Sequence, residues 1–171
     1  SYCVDPPRYF ALLVERSDWH GGGLTSIAPF GAAVARLSEE EYRILRTTVV
    51  RWTVPPEFRV PGGSEFIEGT VLFSRTMGRF RRDIIDTSRL DVLTAERFSA
   101  ALERLTCELQ RLCDENAHML PERAMVLIDN WRYIHSRTKI LDSYRRLWRI
   151  RFDLLPSSCV VSKKELLKRV E

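Results

Sequence analysis

The chain has 171 residues, which is enough for one domain with a hydrophobic core. Its composition, 44% hydrophobic and 29% charged, is typical of a soluble globular protein. The net charge is only +4 and the arginines are spread along the chain, so nucleic-acid binding is disfavoured. No stretch reaches the roughly 18 apolar residues that a membrane span requires, and the first residues show no signal-peptide pattern.

The first half of the chain alternates short apolar runs with polar breaks. After two prolines, residues 9–15 predict a buried strand, and three glycines separate it from a second strand at 24–27. A helix is predicted at 28–37, and Ser38 with Glu41 fits a capping box that opens another helix. Further predictions are a strand at 49–54, a loop at 57–69, and weaker strands at 71–73 and 79–85.

The second half begins with the clearest helix, predicted at 94–117. Its apolar side chains recur every three or four residues on one face, at Phe98, Leu102, Leu105, Leu109 and Leu112. Strands are predicted at 124–128 and 144–152, and the tail 153–171 is predicted to contain a short amphipathic helix at 161–170.

Short strands with inserted helices predict a mainly β domain rather than a parallel α/β sheet. We therefore expect 1–171 to form a single domain of the jelly-roll type, a cupin-like double-stranded β-helix. The four cysteines form no CxxC pair, so a zinc site is disfavoured and free thiols in a reducing cytoplasm are expected; they are Cys3, Cys107, Cys113 and Cys159.

The segment that suggests chemistry is 129–138, which contains His135 between two predicted strands. On the following strand, Arg145, Arg149 and Arg151 share one face because strand side chains alternate. A buried arginine must be paired, and few carboxylates of this sequence are placed to pair both Arg145 and Arg149. A bound dicarboxylate would pair with them, since guanidinium binds carboxylate through two parallel hydrogen bonds. A satisfied structural histidine and a solvated, arginine-rich edge strand remain the alternatives.

The run DNWRYIHSRT followed by RRLWRIRF resembles the C-terminal signature of the iron(II)/2-oxoglutarate-dependent oxygenases of the taurine dioxygenase and clavaminate synthase-like family. The resemblance implies that His135 is the second histidine of a two-histidine, one-carboxylate iron site. It implies that Arg145 binds the distal carboxylate of 2-oxoglutarate. Arg149 would support this co-substrate or contact the prime substrate.

The beginning of the chain resembles the segment that follows the His-x-Asp pair of the same family. Tyr2, the two prolines, the strand YFALLVE and the motif Gly22-Gly23-Leu24-Thr25 carry this likeness. It implies that the Thr25 hydroxyl binds a 2-oxoglutarate carboxylate. The likeness covers 1–37 and 120–152, whereas the middle of the chain matches only in general pattern.

The sequence departs from the family because it contains no His-x-Asp or His-x-Glu pair. His20 and His118 are expected to be structural or exposed. Either the chain is a fragment whose jelly roll is incomplete at the N-terminus, or it is a natural remnant that binds no iron. We favour the fragment, and we expect this chain alone to be inactive.

The family resemblance implies an enzyme with iron(II) and 2-oxoglutarate as cofactors. It would use dioxygen to oxidise, most often to hydroxylate, an unactivated C–H bond of a small molecule, while 2-oxoglutarate is decarboxylated to succinate. Desaturation, cyclisation and halogenation are alternative outcomes. Tyr2, Arg75 and Arg137 are weaker substrate-site candidates, and the arginines suggest a carboxylate-bearing substrate.

Two other hypotheses stay open. One is a non-catalytic jelly-roll module that binds an anion at Arg145 and Thr25 without iron. The other is a structural or oligomerisation domain that exposes the apolar stripe of the 94–117 helix as a partner surface. The enzyme hypothesis instead buries that stripe, and it leaves homo-oligomerisation open, with neither nucleic acid nor membrane as a partner.

Overall fold

The computed structural model describes residues 7–56, 59 and 61–154. In chain order the elements are β1 (Tyr9–Arg16), β2 (Thr25–Pro29), α1 (Phe30–Val34), α2 (Glu39–Thr47), β3 (Val50–Thr53), β4 (Phe66–Gly69), a 3-10 turn (Arg82–Ile84), β5 (Ile85–Asp86), α3 (Val92–Glu115), β6 (Met125–Asp129), β7 (Tyr133–Arg137) and β8 (Arg146–Phe152). All described strand pairs are antiparallel. The prediction of a mainly β fold with inserted helices is confirmed.

The strands form three small sheets, with the orders β6-β1-β8, β2-β7 and β4-β3-β5. β1 is the central strand of the first sheet and pairs with two strands from the other end of the chain. β2 pairs with β7 in the same way, so that Ile27 lies opposite His135. The two ends of the chain therefore build two neighbouring sheets together.

One face of the β6-β1-β8 sheet points into the protein and the other is exposed. Phe10 and Val14 of β1 are buried on the inner face, and Leu12 lies opposite Arg149 of β8 on that face. Trp148 and Ile150 alternate to the outer face, where they are exposed. The predicted alternation along the last strand is confirmed.

The main hydrophobic core lies between α3, the other two helices and the β3 sheet. α3 begins after Asp91, whose carboxylate accepts the Thr94 N–H at 3.0 Å, as an N-cap residue does. The predicted stripe of α3 is buried, with Phe98 and Leu105 both fully inaccessible. The oligomerisation hypothesis required this stripe to be exposed, and that expectation is wrong.

Other boundaries follow local chemistry. The predicted capping box of α2 is confirmed, because Ser38 accepts the Glu41 N–H at 3.2 Å and Glu41 accepts the Ser38 N–H at 2.7 Å. The helix predicted at 28–37 is shorter, since residues 28 and 29 belong to β2.

Three strand predictions need correction. The stretch predicted as a loop at 57–69 ends in β4, which pairs with β3 so that Ile67 lies opposite Trp52. The stretch 71–73 forms only an isolated bridge between Leu72 and Gly78, and the stretch 79–85 forms a strand only at its last residue, where β5 begins. Short strands with few side chains give little periodicity, and long-range pairing decides them.

The remaining predictions concern the C-terminal tail, the cysteines and membrane spans. The predicted helix at 161–170, Cys3 and Cys159 fall outside the described residues. Cys107 and Cys113 are free, the first exposed and the second buried. Within the described part of the chain, no helix has the length and apolarity to cross a membrane.

Candidate active site

The imidazole of His135 lies between the two sheets built by the chain ends. Its ring is tilted against the Phe10 ring, with 4.4 Å between the centroids. Nε2 lies 3.3 Å from an Arg149 guanidinium nitrogen. Because guanidinium only donates, Nε2 accepts and the proton of the neutral ring is on Nδ1. Nδ1 is buried and has no hydrogen-bond partner within the described residues.

Burial, together with the positive charges of Arg149 and Arg151, lowers the pKa of His135 from 6.5 to about 4. The imidazole is therefore neutral at neutral pH. Neutral imidazole is the form that binds metals, and its in-plane lone pair here is on Nε2, the atom that accepts the hydrogen bond from Arg149. His135 thus fits the role of a metal ligand.

Arg149 is held by an aromatic ring and by the histidine rather than by a carboxylate. Its guanidinium carbon lies 4.6 Å from the Phe10 ring centroid, a cation–π distance. Among the described residues no acidic side chain forms an ion pair with it. Burial and the nearby charge of Arg151 lower the pKa of Arg149 from its usual value. A guanidinium without a carboxylate partner can form charge-assisted hydrogen bonds with the anionic group of a ligand.

A cavity of about 470 Å³ opens beside His135 and Arg149. Its wall combines aromatic side chains with cationic ones. The arginines that line it are Arg79, Arg81, Arg82, Arg149 and Arg151, and the described acidic lining residue is Asp83. A volume of several hundred Å³ with a few polar groups is typical of a small-molecule site.

Arg145 contacts the glycine motif that precedes Thr25, but neither Arg145 nor Thr25 lines this cavity. The Arg145 guanidinium donates to the Gly23 carbonyl at 3.3 Å, two residues before Thr25. Thr25 is buried and pairs across the sheet with Arg137. Burial and the Arg137 charge lower the pKa of Arg145, whereas the carboxylate of Asp18 acts in the opposite direction.

The weaker candidates are scattered. Arg75 forms an exposed ion pair with Glu39 at 2.6 Å and stacks on Tyr42, away from the cavity lining. Arg137 is exposed and donates to the Thr138 carbonyl at 3.4 Å. Tyr2 lies outside the described residues.

Sequence reasoning missed two residues of this region. Phe10 contacts both His135 and Arg149, but a phenylalanine in a buried strand resembles any core residue and gave no signal. Asp18 is almost fully buried in the loop before the glycines. An aspartate just before a glycine run was a weak signal of a turn.

The described residues contain no cluster of three or more histidine, cysteine, aspartate or glutamate side chains that could hold a metal ion. His20 and His118 are both exposed, as expected.

No protein-family model matches the sequence, and no curated protein matches it. Solved structures do match. Asparagine oxygenase AsnO is 24% identical with a TM-score of 0.63, over 86% of this chain and 44% of AsnO. Its complex with Fe(II), 3-hydroxyasparagine and succinate is 25% identical with a TM-score of 0.60, over 90% and 47%. The non-haem iron oxygenase OrfP, in complex with Fe and alpha-ketoglutaric acid, is 19% identical with a TM-score of 0.61, over 89% and 46%.

The described fold is that of the non-haem iron oxygenases that use 2-oxoglutarate. Within that class the neighbours are of the taurine dioxygenase type, so the resemblance seen in the sequence is confirmed. The chain spans less than half the length of AsnO and of OrfP, 44% and 46%.

Proposed function

We propose that the protein containing this chain is an iron(II)/2-oxoglutarate-dependent dioxygenase that hydroxylates an unactivated C–H bond of a small molecule. One observation carries the proposal. A half-buried, neutral imidazole, His135, lies between two antiparallel sheets beside a cationic cavity and accepts a hydrogen bond from Arg149 at Nε2. The sheet arrangement supports assignment to a double-stranded β-helix, because the Phe10 ring of the β6-β1-β8 sheet packs against the His135 ring of the β2-β7 sheet.

His135 Nε2 is the atom that would ligate iron, with the other protein ligands supplied from outside the described residues. Arg149 would have to leave Nε2, since its N–H occupies the lone pair that a metal takes. Iron with bound 2-oxoglutarate and dioxygen supplies the oxidation of the C–H bond, and 2-oxoglutarate leaves as succinate and carbon dioxide.

The protein groups bind and orient the two organic molecules. Arg145 would pair with the far carboxylate of 2-oxoglutarate, and the Thr25 hydroxyl would donate to the same group. Phe10 would shield the site from water on the side of the first sheet. His135, neutral at physiological pH, would not need to lose a proton before binding metal.

The cavity favours a substrate that carries a carboxylate. Five arginines line it, and Arg149 is the one closest to His135, at 3.3 Å. The neighbours agree with this class, since the asparagine oxygenase complex contains 3-hydroxyasparagine and OrfP has been solved with 3-hydroxyarginine and with canavanine. We therefore propose an amino acid or a related small carboxylate as substrate.

Succinate formation from 2-oxoglutarate by the natural full-length protein tests the proposal. We expect it to require iron(II) and to fall at least about a hundredfold in His135→Ala, because one metal ligand is lost. The matched control is His118→Ala, which removes an exposed imidazole and should leave the rate unchanged. Undiminished succinate formation by His135→Ala, or formation without iron, would refute the assignment.

A second candidate is a binding module that takes a dicarboxylate without iron. The hydrogen bond between Arg149 and His135 Nε2 favours it, because in this arrangement the metal-binding lone pair is already used. Calorimetric titration with 2-oxoglutarate separates the two functions. A module binds it equally with and without iron(II), whereas the oxygenase binds it much more tightly when iron is present.

A further inference from the structure

The carboxylate of Asp18 joins two loops that are distant in sequence. It is 3% exposed and lies between β1 and β2. Oδ2 accepts the N–H groups of Leu141 at 2.7 Å and Asp142 at 3.2 Å, while Oδ1 accepts that of His20 at 3.0 Å. Burial by itself raises the pKa of Asp18, but these hydrogen bonds and one from Gly22 outweigh it, and the pKa is lowered.

The loops approach so closely that only glycine fits between them. A Cβ on Gly22 would lie 2.6 Å from Asp18 Oδ2 and 2.6 Å from the Lys139 carbonyl oxygen. The next residue, Gly23, donates its N–H to that same carbonyl at 2.8 Å. The hydrogen bonds of Asp18 hold the two loops together, and the absence of a Cβ at Gly22 and Gly23 allows this close approach.

Both loops hold Arg145. On one side, the Asp142 carbonyl accepts the Arg145 N–H at 3.1 Å and fixes the turn that leads into β8. On the other side, the Arg145 guanidinium donates to the Gly23 carbonyl at 3.3 Å. A Cβ on Gly23 would lie 2.6 Å from Arg145 Nε, so the Arg145 side chain passes close to this glycine.

We propose that Asp18 is a positioning residue for 2-oxoglutarate binding, acting through Arg145. Its carboxylate fixes the two loops between which the Arg145 guanidinium is held. This inference rests on the proposed function, in which Arg145 binds the far carboxylate of 2-oxoglutarate.

The role needs a charged carboxylate and not only its shape. Among the described residues Asp18 forms no ion pair with lysine or arginine, so its two oxygens serve backbone donors. Asparagine has the same size but presents one acceptor oxygen and an NH₂ group. In Asp18→Asn the new NH₂ group would point at backbone N–H groups that now donate to a carboxylate oxygen. Two donors repel each other, so the loops would move apart. A displacement near 1 Å is enough to weaken a binding geometry strongly.

The test is the dependence of succinate formation on 2-oxoglutarate concentration in the natural full-length protein. We expect Asp18→Asn to raise KM for 2-oxoglutarate about tenfold, with kcat at saturation changed less than about twofold and the iron requirement unchanged. The matched control is Asp86→Asn, because Asp86 also accepts a backbone N–H, that of Ser88 at 2.9 Å, on the β3 sheet. A merely structural role would lower the active fraction, and thus kcat, without raising KM.

The outcomes separate the two proposals. If the unmutated protein forms succinate but Asp18→Asn raises KM no more than Asp86→Asn, the inference about Asp18 is refuted and the proposed function stands. If the unmutated protein forms no iron-dependent succinate, the proposed function fails and the inference fails with it.

A measurement on the unmutated protein covers the case in which Asp18→Asn does not fold. We expect 2-oxoglutarate to slow the amide hydrogen exchange of Leu141 and Asp142, because a ligand on Arg145 stabilises the loops that hold it. Exchange that 2-oxoglutarate leaves unchanged, in a protein that turns it over, would also overturn the proposal.

Discussion

Acidification should destabilise this fold through His135. The imidazole has a pKa of about 4 in the folded protein, against 6.5 for an exposed histidine. Below pH 6.5 the imidazole becomes protonated in the unfolded chain, whereas it stays neutral in the folded chain until the pH approaches 4. The unfolded state therefore binds more protons, and the free energy of unfolding falls as the pH falls.

The magnitude follows from the two pKa values of His135. At pH 7 the imidazole is mostly neutral in both states, so the linkage contribution is small. At pH 5 it is protonated in the unfolded chain and still neutral in the folded one. Linkage then gives a loss of about 2 kcal/mol between pH 7 and pH 5. The loss reaches its limit of about 3 kcal/mol below pH 4, where the folded state is protonated too.

Urea denaturation followed by tryptophan fluorescence measures this loss, since Trp52 is fully buried in the core. Other groups also titrate between pH 7 and pH 5, so the quantity to compare is the pH-dependent loss in different variants. His135→Gln should lose about 2 kcal/mol less than the unmutated chain over this interval. Equal losses in His135→Gln and the unmutated chain would refute a buried, neutral His135.

Two further pairs of variants test the loops and the core. Gly21 and Gly23 both have positive φ, +80° and +64°, so alanine at either should cost about 1–2 kcal/mol in urea denaturation. The new Cβ of Gly23→Ala would also collide with the Arg145 side chain, whereas that of Gly21→Ala would contact nothing. Gly23→Ala alone should therefore raise KM for 2-oxoglutarate, and equal KM values in the two variants would contradict the assigned role of Arg145. Leu105→Ala should lower the free energy of unfolding by about 2–5 kcal/mol, because Leu105 is completely buried. Leu93→Ala, at an exposed position of the same helix, should stay within about 0.5 kcal/mol, and a similar loss in both would contradict the packing of α3.

The parts of the fold that sequence reasoning predicted are those with a strong local signal. α3 has an apolar stripe over many turns, and β8 alternates apolar residues with arginines from Trp148 to Phe152. β4 and β7 were not predicted as strands, because each is short and its partner decides its conformation. β7 follows a turn and pairs with β2, and Leu24 and Thr138 beside this pair are 114 residues apart.

His135 and Arg149 of the candidate site were predicted from the sequence, but Phe10 and the contacts among these residues were not. The family resemblance indicates His135 and the arginines of β8 as site residues, and the alternation along the strand places Arg149 and Arg151 on one face. That Arg149, and not Arg145, contacts the imidazole depends on the register of β8 against β1. A shift in that register between Val14 and Arg16 places Arg146 beside Arg16. No local pattern encodes such a register, because it is decided where two sheets meet.

The division between the core and the site has a consequence for how the protein loses activity. The apolar cluster that contributes most to stability extends from Phe30 to Leu109, in the middle of the chain. The groups that contact the His135 ring, Phe10 of β1 and Arg149 of β8, belong instead to a sheet that the two ends of the chain build together. Detachment of β1 in a sub-global opening would dismantle the ligand site while the helical interior stays folded. Warming or mild denaturant should therefore abolish ligand binding before the midpoint of global unfolding is reached.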